Sequence, residues 1–410
     1  MEEENKNNGG YEAEGNPLVG LIREKFYQAE TSKIYDEKRW LKAYRNYRGL
    51  YGPEMAFRES EKSRVFVKIT KTKVLASFGQ IIEVLFSQGK FPLGVSPTSM
   101  PEDIAERAYT KPDKQQQPQP QPQMDPYGFN GDGRDIPPGA TADDLMKTLA
   151  QNYENLGFEE GSAPQGQPQI EPARMAAEAM QKLIHDQLEE SKAITILRHV
   201  FFEMALLGTG ILKGPFTDVK EYHSFDTSED DEGNIANVHV TKVKSVPSIE
   251  AVSCWDFYPD PNATTIHDCD YVIQRHSYNK SQFEDLADKP MFDREAVMEC
   301  LKMGPNYQTR GFESSLYDRE NIQTIYKNRF EVLEYWGIID RETADQCGLN
   351  YTTESENVAV NIWICGNKVL RMVENPFTPT RIPYLVCPYE LNPYQFFGIG
   401  IPENMEDSQQ

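Results

Sequence analysis

Long apolar runs are missing from this chain, and histidine, cysteine and positive charge are scarce. No apolar stretch approaches the roughly 18 residues that a bilayer-spanning helix needs, so no passage through a membrane is expected. Six cysteines (Cys254, Cys269, Cys300, Cys347, Cys365, Cys387) stand at wide, irregular spacings. Neither a disulfide framework nor a four-ligand zinc pattern follows from them, and reduced, mostly buried thiols are expected. The six histidines offer no nucleophile with a neighbouring general base. A charged-then-apolar leader is also lacking, since Met1 to Gly15 is acidic and polar; the expectation is a protein made and kept in a cytoplasm. Against 64 acidic side chains stand only 42 basic ones, a net charge of −22. That surface repels nucleic acid in bulk and excludes a general DNA-binding protein, whose affinity comes from neutralising phosphates.

What is present is a run of amphipathic helices followed by strands. Residues 1–16 have almost no apolar content and are expected to be disordered. From Pro17 to Tyr47, Leu18, Leu21, Ile22, Phe26, Ile34, Tyr35, Leu41 and Tyr44 recur at helical spacing, as one helix or as two joined near Thr31-Ser32. Gly49 and Gly52-Pro53 end it. A second amphipathic helix is expected over Ser63 to Phe86, with Lys62, Arg64, Lys68, Lys71 and Lys73 crowding its first half. Such a basic face suits a phosphate backbone, an acidic neighbouring subunit or plain solvent. Phe91 to Val95 reads as a short strand. Residues 111–172 are rich in proline and glutamine, too poor in apolar side chains to offset ordering entropy, and read as an insertion with one helix at Ala142 to Leu156. A single long helix is expected from Pro172 to Leu207, stopped by Gly208 and Gly210.

Beyond Ile211 the period becomes two. Strands are expected at Thr209 to Pro215, Val219 to His223, Asn237 to Val246 and Ser248 to Phe257. An acidic turn, Ser228 to Asn234, joins the second of these to the third. Further strands fall at Tyr271 to Ser277, Arg329 to Ile339 and, turned at Cys365-Gly366-Asn367, Val358 to Val373; short helices fall near 279–288 and 293–303. The fold class is α+β, long amphipathic helices packed on an antiparallel-rich sheet.

The best catalytic candidate is the carboxylate set Asp256, Asp260, Asp268 and Asp270, with His267 and Cys269 beside it. Paired carboxylates hold Mg²⁺ for phosphodiester hydrolysis in some enzymes, but these belong to turns rigidified by Pro259 and Pro261. Gly208 to Gly214 carries glycines and Lys213, yet it follows a helix and precedes a strand, the reverse of a phosphate cradle. No catalytic residue, cofactor or metal site is assigned.

The stretch from Arg381 to Gln410 organises the rest. A strand at Pro383 to Tyr389 gives way to a turn at Asn392-Pro393, then to Tyr394, Phe396 and Phe397, a Gly398-Ile399-Gly400 hinge, and a helix start at Pro402-Glu403. The helix has barely begun when the sequence stops, without a cap, and a continuation of the natural protein is expected. The run Pro388-Tyr389, Phe396 to Gly400, Pro402-Glu403, Asp407 and Gln409 resembles the segment of tailed-phage portal (head-tail connector) proteins that leads into their long stem helix, most of all in short-tailed phages. Arg64 to Phe86, and Cys254 to Pro261 followed by Tyr271 to Arg275, resemble the same family.

The resemblance implies a non-enzymatic structural subunit of a ring, a homododecamer at one capsid vertex, through which viral DNA is packaged and ejected. It places the protein in the virion, with itself, capsid and scaffolding proteins, the terminase motor and tail adaptors as partners, and with duplex DNA passing through unread. The acidity then suits either solubility or a channel wall past which DNA slides. The implied parts are a helical part of the wing at 17–110, the insertion at 111–172, a wing body at 173–400 and the first turns of a stem helix at 401–410, the clip and crown being absent. Ring-interface candidates are Lys68, Lys71 and Lys73 on one face and Asp230, Asp231 and Glu232 on another; Phe397, Gly398, Gly400 and Pro402 form the stem hinge. Two alternatives from other classes are a Mg²⁺-dependent nuclease acting through Asp256, Asp260, Asp268 and Asp270, and a monomeric adaptor or scaffold using the proline-rich insertion.

Overall fold

A computed structural model describes residues 16–51, 66–87, 91–97, 170–229, 235–317 and 326–406. The expectations for residues 1–15, for residues 111–169 and for Asp230, Asp231 and Glu232 fall outside the described residues. The chain divides into two units, Met1–Pro92 with His185–Gln410, and Leu93–Ile184.

Helix α1 runs unbroken from Pro17 to Arg48, so the two-helix alternative is not realised. Asn16 caps its start through a 3.1 Å bond from the Leu18 N–H, with Pro17 at the first helical position. Its inward stripe differs from the expected one. Ile34 and Tyr35 are 45% and 62% exposed, and the buried line continues from Phe26 through Ala29, Lys33 and Trp40. The spacing of three, four and seven keeps those residues on one face, whereas Ile34 and Tyr35 are rotated off it.

Helix α2 spans Ile69–Phe86; Phe66, Val67 and Lys68 precede it without helical structure, Phe66 stacking edge-on against Tyr51 at 4.9 Å. Phe91 to Val95 is not a strand, because among the described residues no neighbouring strand supplies a ladder; the Val95 N–H donates instead to Gln181 Oε1 at 3.2 Å. In place of one long helix stand α3, Ile170–Glu190, and α4, Ala193–Leu207. Ser191 Oγ donates to the Leu188 carbonyl at 3.1 Å and Lys192 takes φ 54°. A serine hydroxyl that bonds back to the turn competes with the helical ladder, which here breaks the helix despite a continuous apolar period.

The strands merge further than expected. Strand β1, Thr209–Glu229, and β2, Ile235–Val252, form one long antiparallel ribbon with a register shift between Lys213 and Phe216. Gly214 and Pro215 thus mark an irregularity inside a strand rather than its end. Strand β8, Tyr384–Pro388, pairs with β1 over Thr209 to Lys213 and completes a sheet of order β2-β1-β8. The second sheet is an antiparallel meander, β3 (Phe257–Pro259), β4 (Tyr271–Tyr278), β5 (Phe330–Asp340), β6 (Asn357–Cys365) and β7 (Lys368–Glu374). The fold is α+β, as the alternating patterns imply.

Alternation along the meander covers both of its faces. Ile273, Leu333, Tyr335, Val360 and Ile362 meet Leu18, Ile22 and Phe26 of α1, while Phe330, Val332 and Trp363 meet Phe283 and Val297 from the short helices Lys280–Glu284 (α5) and Arg294–Met303 (α6). Each large apolar side chain so buried stabilises the fold by about 1.5–3 kcal/mol. A third core, around Trp40, Trp255, Phe257 and Phe397, gathers α1, α4, the β1-β2-β8 sheet and the end of the described chain.

Candidate functional site

The third core seats the terminal segment. Strand β8 lies along β1, and the chain then folds back so that Tyr389 N–H donates to the Gly208 carbonyl at 2.8 Å and Ile399 N–H to the Glu390 carbonyl at 3.0 Å. Gly398 N–H donates to Thr209 Oγ1 at 2.9 Å, within the buried interior. Three glycines make this approach possible. A Cβ on Gly398 would stand 2.6 Å from both the Glu390 and Gly208 carbonyl oxygens, and one on Gly400 would stand 2.8 Å from Gly208 N and Leu206 O. Phe397 sets its ring edge-on to Trp40 at 4.8 Å, and Phe396 stacks on Phe257 at 5.9 Å. The short helix Ile401–Asn404 follows, with Pro402 in its first turn. Arg39 of α1 grips Glu403 through two bonds of 3.0 and 2.9 Å, and Lys42 pairs with Glu406. Both bonds to Glu403 leave one nitrogen, Nη1, while Nη2 donates to Asp36 Oδ1 at 2.5 Å, so the guanidinium bridges the two carboxylates.

Beside this seat lies a cavity of about 410 Å³ with Phe202, Glu203, Trp255, Arg275 and Phe312 in its lining. Trp255 stacks on Phe312 at 4.6 Å. Arg275, buried in β4, donates to Asp256 Oδ1 at 3.0 and 2.9 Å and to Glu313 Oε1 at 2.8 Å. Behind the lining, the buried atoms Arg275 Nη1, Ser277 Oγ and Glu313 Oε2 make no hydrogen bond among the described residues, Arg275 Nη1 standing 3.9 Å from Glu331 Oε2. Glu203 accepts from Ser253 Oγ at 2.6 Å and from Cys254 N–H at 3.2 Å. Burial nonetheless pushes its carboxyl up to about 7.

Behind the cavity, Lys33 donates to the Trp255 carbonyl at 2.6 Å and sits 3.8 Å over the Tyr258 ring. Burial lowers its ammonium to about 8, against an ordinary value of 10.5. A folded-state value below the unfolded one means that the charged form costs stability, a cost present in full below pH 8 and relieved as pH rises toward 10.5. Lys33→Met keeps the stem and removes the charge. Its unfolding free energy is expected to match or exceed that of the parent at pH 7 and to vary less between pH 8 and 10, as urea titrations at each pH would measure.

The residues singled out in the sequence are distributed unequally. Phe397, Gly398, Gly400 and Pro402 come together in the seat, as a tightly packed corner rather than an open hinge. Lys68, just before α2, and Lys71 and Lys73 near its start are exposed and make no salt bridge among the described residues. The four aspartates do not converge on one point. Asp256 pairs with Arg275, Asp260 accepts from Asn262 N–H at 3.0 Å in its own turn, and Asp268 accepts from Thr265 Oγ1 at 2.8 Å. Among the described residues no group of His, Cys, Asp and Glu is arranged to hold a metal ion. Lys213 does not face a phosphate loop but is buried against Glu334. Sequence reasoning passed over Glu203, Arg275 and Lys33. A signal did exist for Lys33, which occupies an apolar stripe position between Ala29 and Trp40.

No described helix is long and apolar enough to cross a membrane. Residues 214–410 match the family model described as Phage SU10 portal protein. The matched stretch holds the meander, β2, most of β1, β8 and the seated terminal helix. No curated protein matches the chain.

Proposed function

Through residues 214–410 the chain belongs to the tailed-phage portal proteins, and from that premise we propose that its copies close into a dodecameric ring at one capsid vertex, the passage through which viral DNA is packaged and ejected. The observation that carries this reading is the family match itself, which ends on the seated segment. Clamping of residues 384–406 onto α1, α4 and β1 supports it, since a helix leading on toward a channel needs a fixed base. The net charge of −22 also supports it, because duplex DNA must slide past such a wall without being held. In this reading the protein works in the virion with capsid, scaffolding, motor and tail-adaptor partners, and it catalyses nothing.

Ring closure between identical copies takes a heterologous interface, two different faces on each subunit. We place one on the exposed lysines at the start of α2, Lys68 just before it and Lys71 and Lys73 within it, and the complementary one on Asp230, Asp231 and Glu232. The molar mass in solution, followed by light scattering across a concentration range, tests the whole reading. A twelvefold species is the expected result, and a strict monomer throughout would overturn it. The double variant Lys68→Glu, Lys71→Glu is expected to assemble only at higher protein concentration and with a weaker salt dependence. Assembly indistinguishable from the parent would remove these lysines from the interface and leave the ring standing.

A further inference from the structure

We propose that the cavity beside the terminal seat binds a small organic ammonium ion, held by the Glu203 carboxylate and by the aromatic walls Phe202, Trp255 and Phe312. All of its lining comes from one copy of the chain, so the inference goes beyond the ring reading and does not rest on it. Three carboxylates, Glu203, Asp256 and Glu313, line the cavity together with one guanidinium, Arg275. Arg275 engages two of them, at 2.9 Å to Asp256 Oδ1 and 2.8 Å to Glu313 Oε1. Glu203 has no cation in contact among the described residues. Its bonds come from the Ser253 hydroxyl and the Cys254 N–H, and both end on Oε1. The second oxygen, Oε2, accepts none from the described residues.

A carboxylate taken out of water without a counter-charge is costly, and buried charges are therefore found paired. Where an arginine or lysine would be expected to meet Glu203 there is instead a cavity of about 410 Å³, within the size range of small-molecule pockets. Its walls select the kind of cation. Trp255 and Phe312 stack at 4.6 Å, and Phe202 lines the same space. Aromatic rings attract a cation and cover an alkyl tail. A metal ion would need several oxygen or nitrogen ligands, and no such group of His, Cys, Asp and Glu is arranged among the described residues. A primary alkylammonium satisfies both features, with N–H donors for Oε2 and a tail for the rings.

The neighbouring charges leave this need unmet. Lys33 on α1 donates to the Trp255 carbonyl at 2.6 Å and sits 3.8 Å over the Tyr258 ring, so its ammonium is already engaged. The Cys254 thiol donates to the Thr209 carbonyl at 3.1 Å, and the Tyr307 hydroxyl to Glu313 Oε1 at 2.7 Å. Tyr44 accepts from Arg48 at 2.7 Å, and His199, on the same helix as Glu203, is exposed. Burial is the main reason that the Glu203 carboxyl stands at about 7, and the negative charge of Asp256 adds to it. At neutral pH the group is therefore about half protonated. A bound ammonium favours the ionised form, so binding at pH 7 expels about half a proton.

Titration calorimetry of the full chain with n-butylammonium chloride, against a sodium chloride blank, tests the site. A dissociation constant of about 1 mM or tighter is expected for so small a ligand. Titrations at pH 7 in two buffers of different ionisation enthalpy should show about half a proton released per cation, and the affinity should rise between pH 6 and pH 8. Glu203→Gln keeps an acceptor for Ser253 and Cys254. It is expected to bind about tenfold more weakly and to release no proton. 1-Butanol, which has the tail without the charge, should bind the parent at least about tenfold more weakly than butylammonium. That comparison needs no variant and holds even if Glu203→Gln fails to fold. No binding of butylammonium by the parent, equal binding by Glu203→Gln, or equal binding of butanol would each overturn the inference, whether or not the chain forms a ring.

Discussion

Replacing Gly398 or Gly400 by alanine is expected to release the terminal segment from its seat, at a cost of about 2–4 kcal/mol in unfolding free energy. The added methyl group at 398 has two carbonyl oxygens within 2.6 Å, and both are backbone atoms that no rotamer change can move aside. Relief therefore requires the chain from Glu390 to Ile399 to shift away from Gly208. That shift breaks the Gly398 N–H bond to Thr209 Oγ1 and the Tyr389 N–H bond to Gly208, and it lifts Phe397 off Trp40. Lost aromatic contact adds about 0.5–1.5 kcal/mol to the penalty. Two measurements check the outcome. Chemical unfolding should show a lower midpoint with a similar slope, and limited proteolysis should cut between 389 and 400 in the variants before it cuts the parent. A variant with parental stability and protection would mean that the corner is looser than its geometry implies. Glu403→Gln offers the contrast, because it weakens one arginine pair whose carboxylate is about a third exposed and should cost under about 1 kcal/mol.

How much of this was legible beforehand depends on whether the signal was local. The turn at Cys365 to Asn367, strand β8, the short helices after Tyr278 and the helix start at Pro402 each follow from neighbouring residues, and each stands where its pattern puts it. The ribbon of β1 and β2 was read in pieces, because Gly214-Pro215 carries a terminator signal that pairing with β2 on one side and β8 on the other overrides. The helix break at Lys192 was invisible to periodicity, since two residues of turn leave the apolar spacing nearly intact. The glycines of the terminal segment read as a hinge from their local order, Gly398-Ile399-Gly400 ahead of Pro402-Glu403. Their partner, Gly208, was read as a helix stop about 190 residues earlier, and only folding brings the three together. The Arg275 cavity is harder still. Its lining comes from α1, α4, the β2–β3 connection, β4 and the helix at 311–317, so no window of sequence contains it. Buried charges share this property: Arg275 and Lys213 look like ordinary strand residues until their carboxylate partners arrive from distant segments.

Lys213 leads to the second large effect, in the contact between the two sheets. Its ammonium, on β1, meets Glu334 on β5, whose carboxylate also lies 2.7 Å from His276 Nε2 and accepts from Trp336 Nε1 at 2.7 Å. Both partners of the ion pair are almost wholly buried, at 7% and 2% side-chain exposure. Glu334→Ala would leave the buried Lys213 with only Glu250, 4.0 Å away and half-exposed, as a carboxylate partner, and is expected to cost about 3–5 kcal/mol, or to prevent folding. Glu334→Gln keeps the shape and one acceptor, and serves to isolate the charge. Burial alone would push the Glu334 carboxyl up, but Lys213 and His276 outweigh it and hold the group down at about 2, against 4.5 when unfolded. A depressed carboxyl contributes stability that is complete above pH 4.5 and disappears as pH falls from there toward 2. The size of that contribution is on the order of 3 kcal/mol. The difference in unfolding free energy between parent and Glu334→Gln should therefore be largest near neutrality and shrink steadily below pH 4.5. A difference independent of pH across that range would show that the glutamate acts through packing, and that the link between the sheets does not depend on its charge.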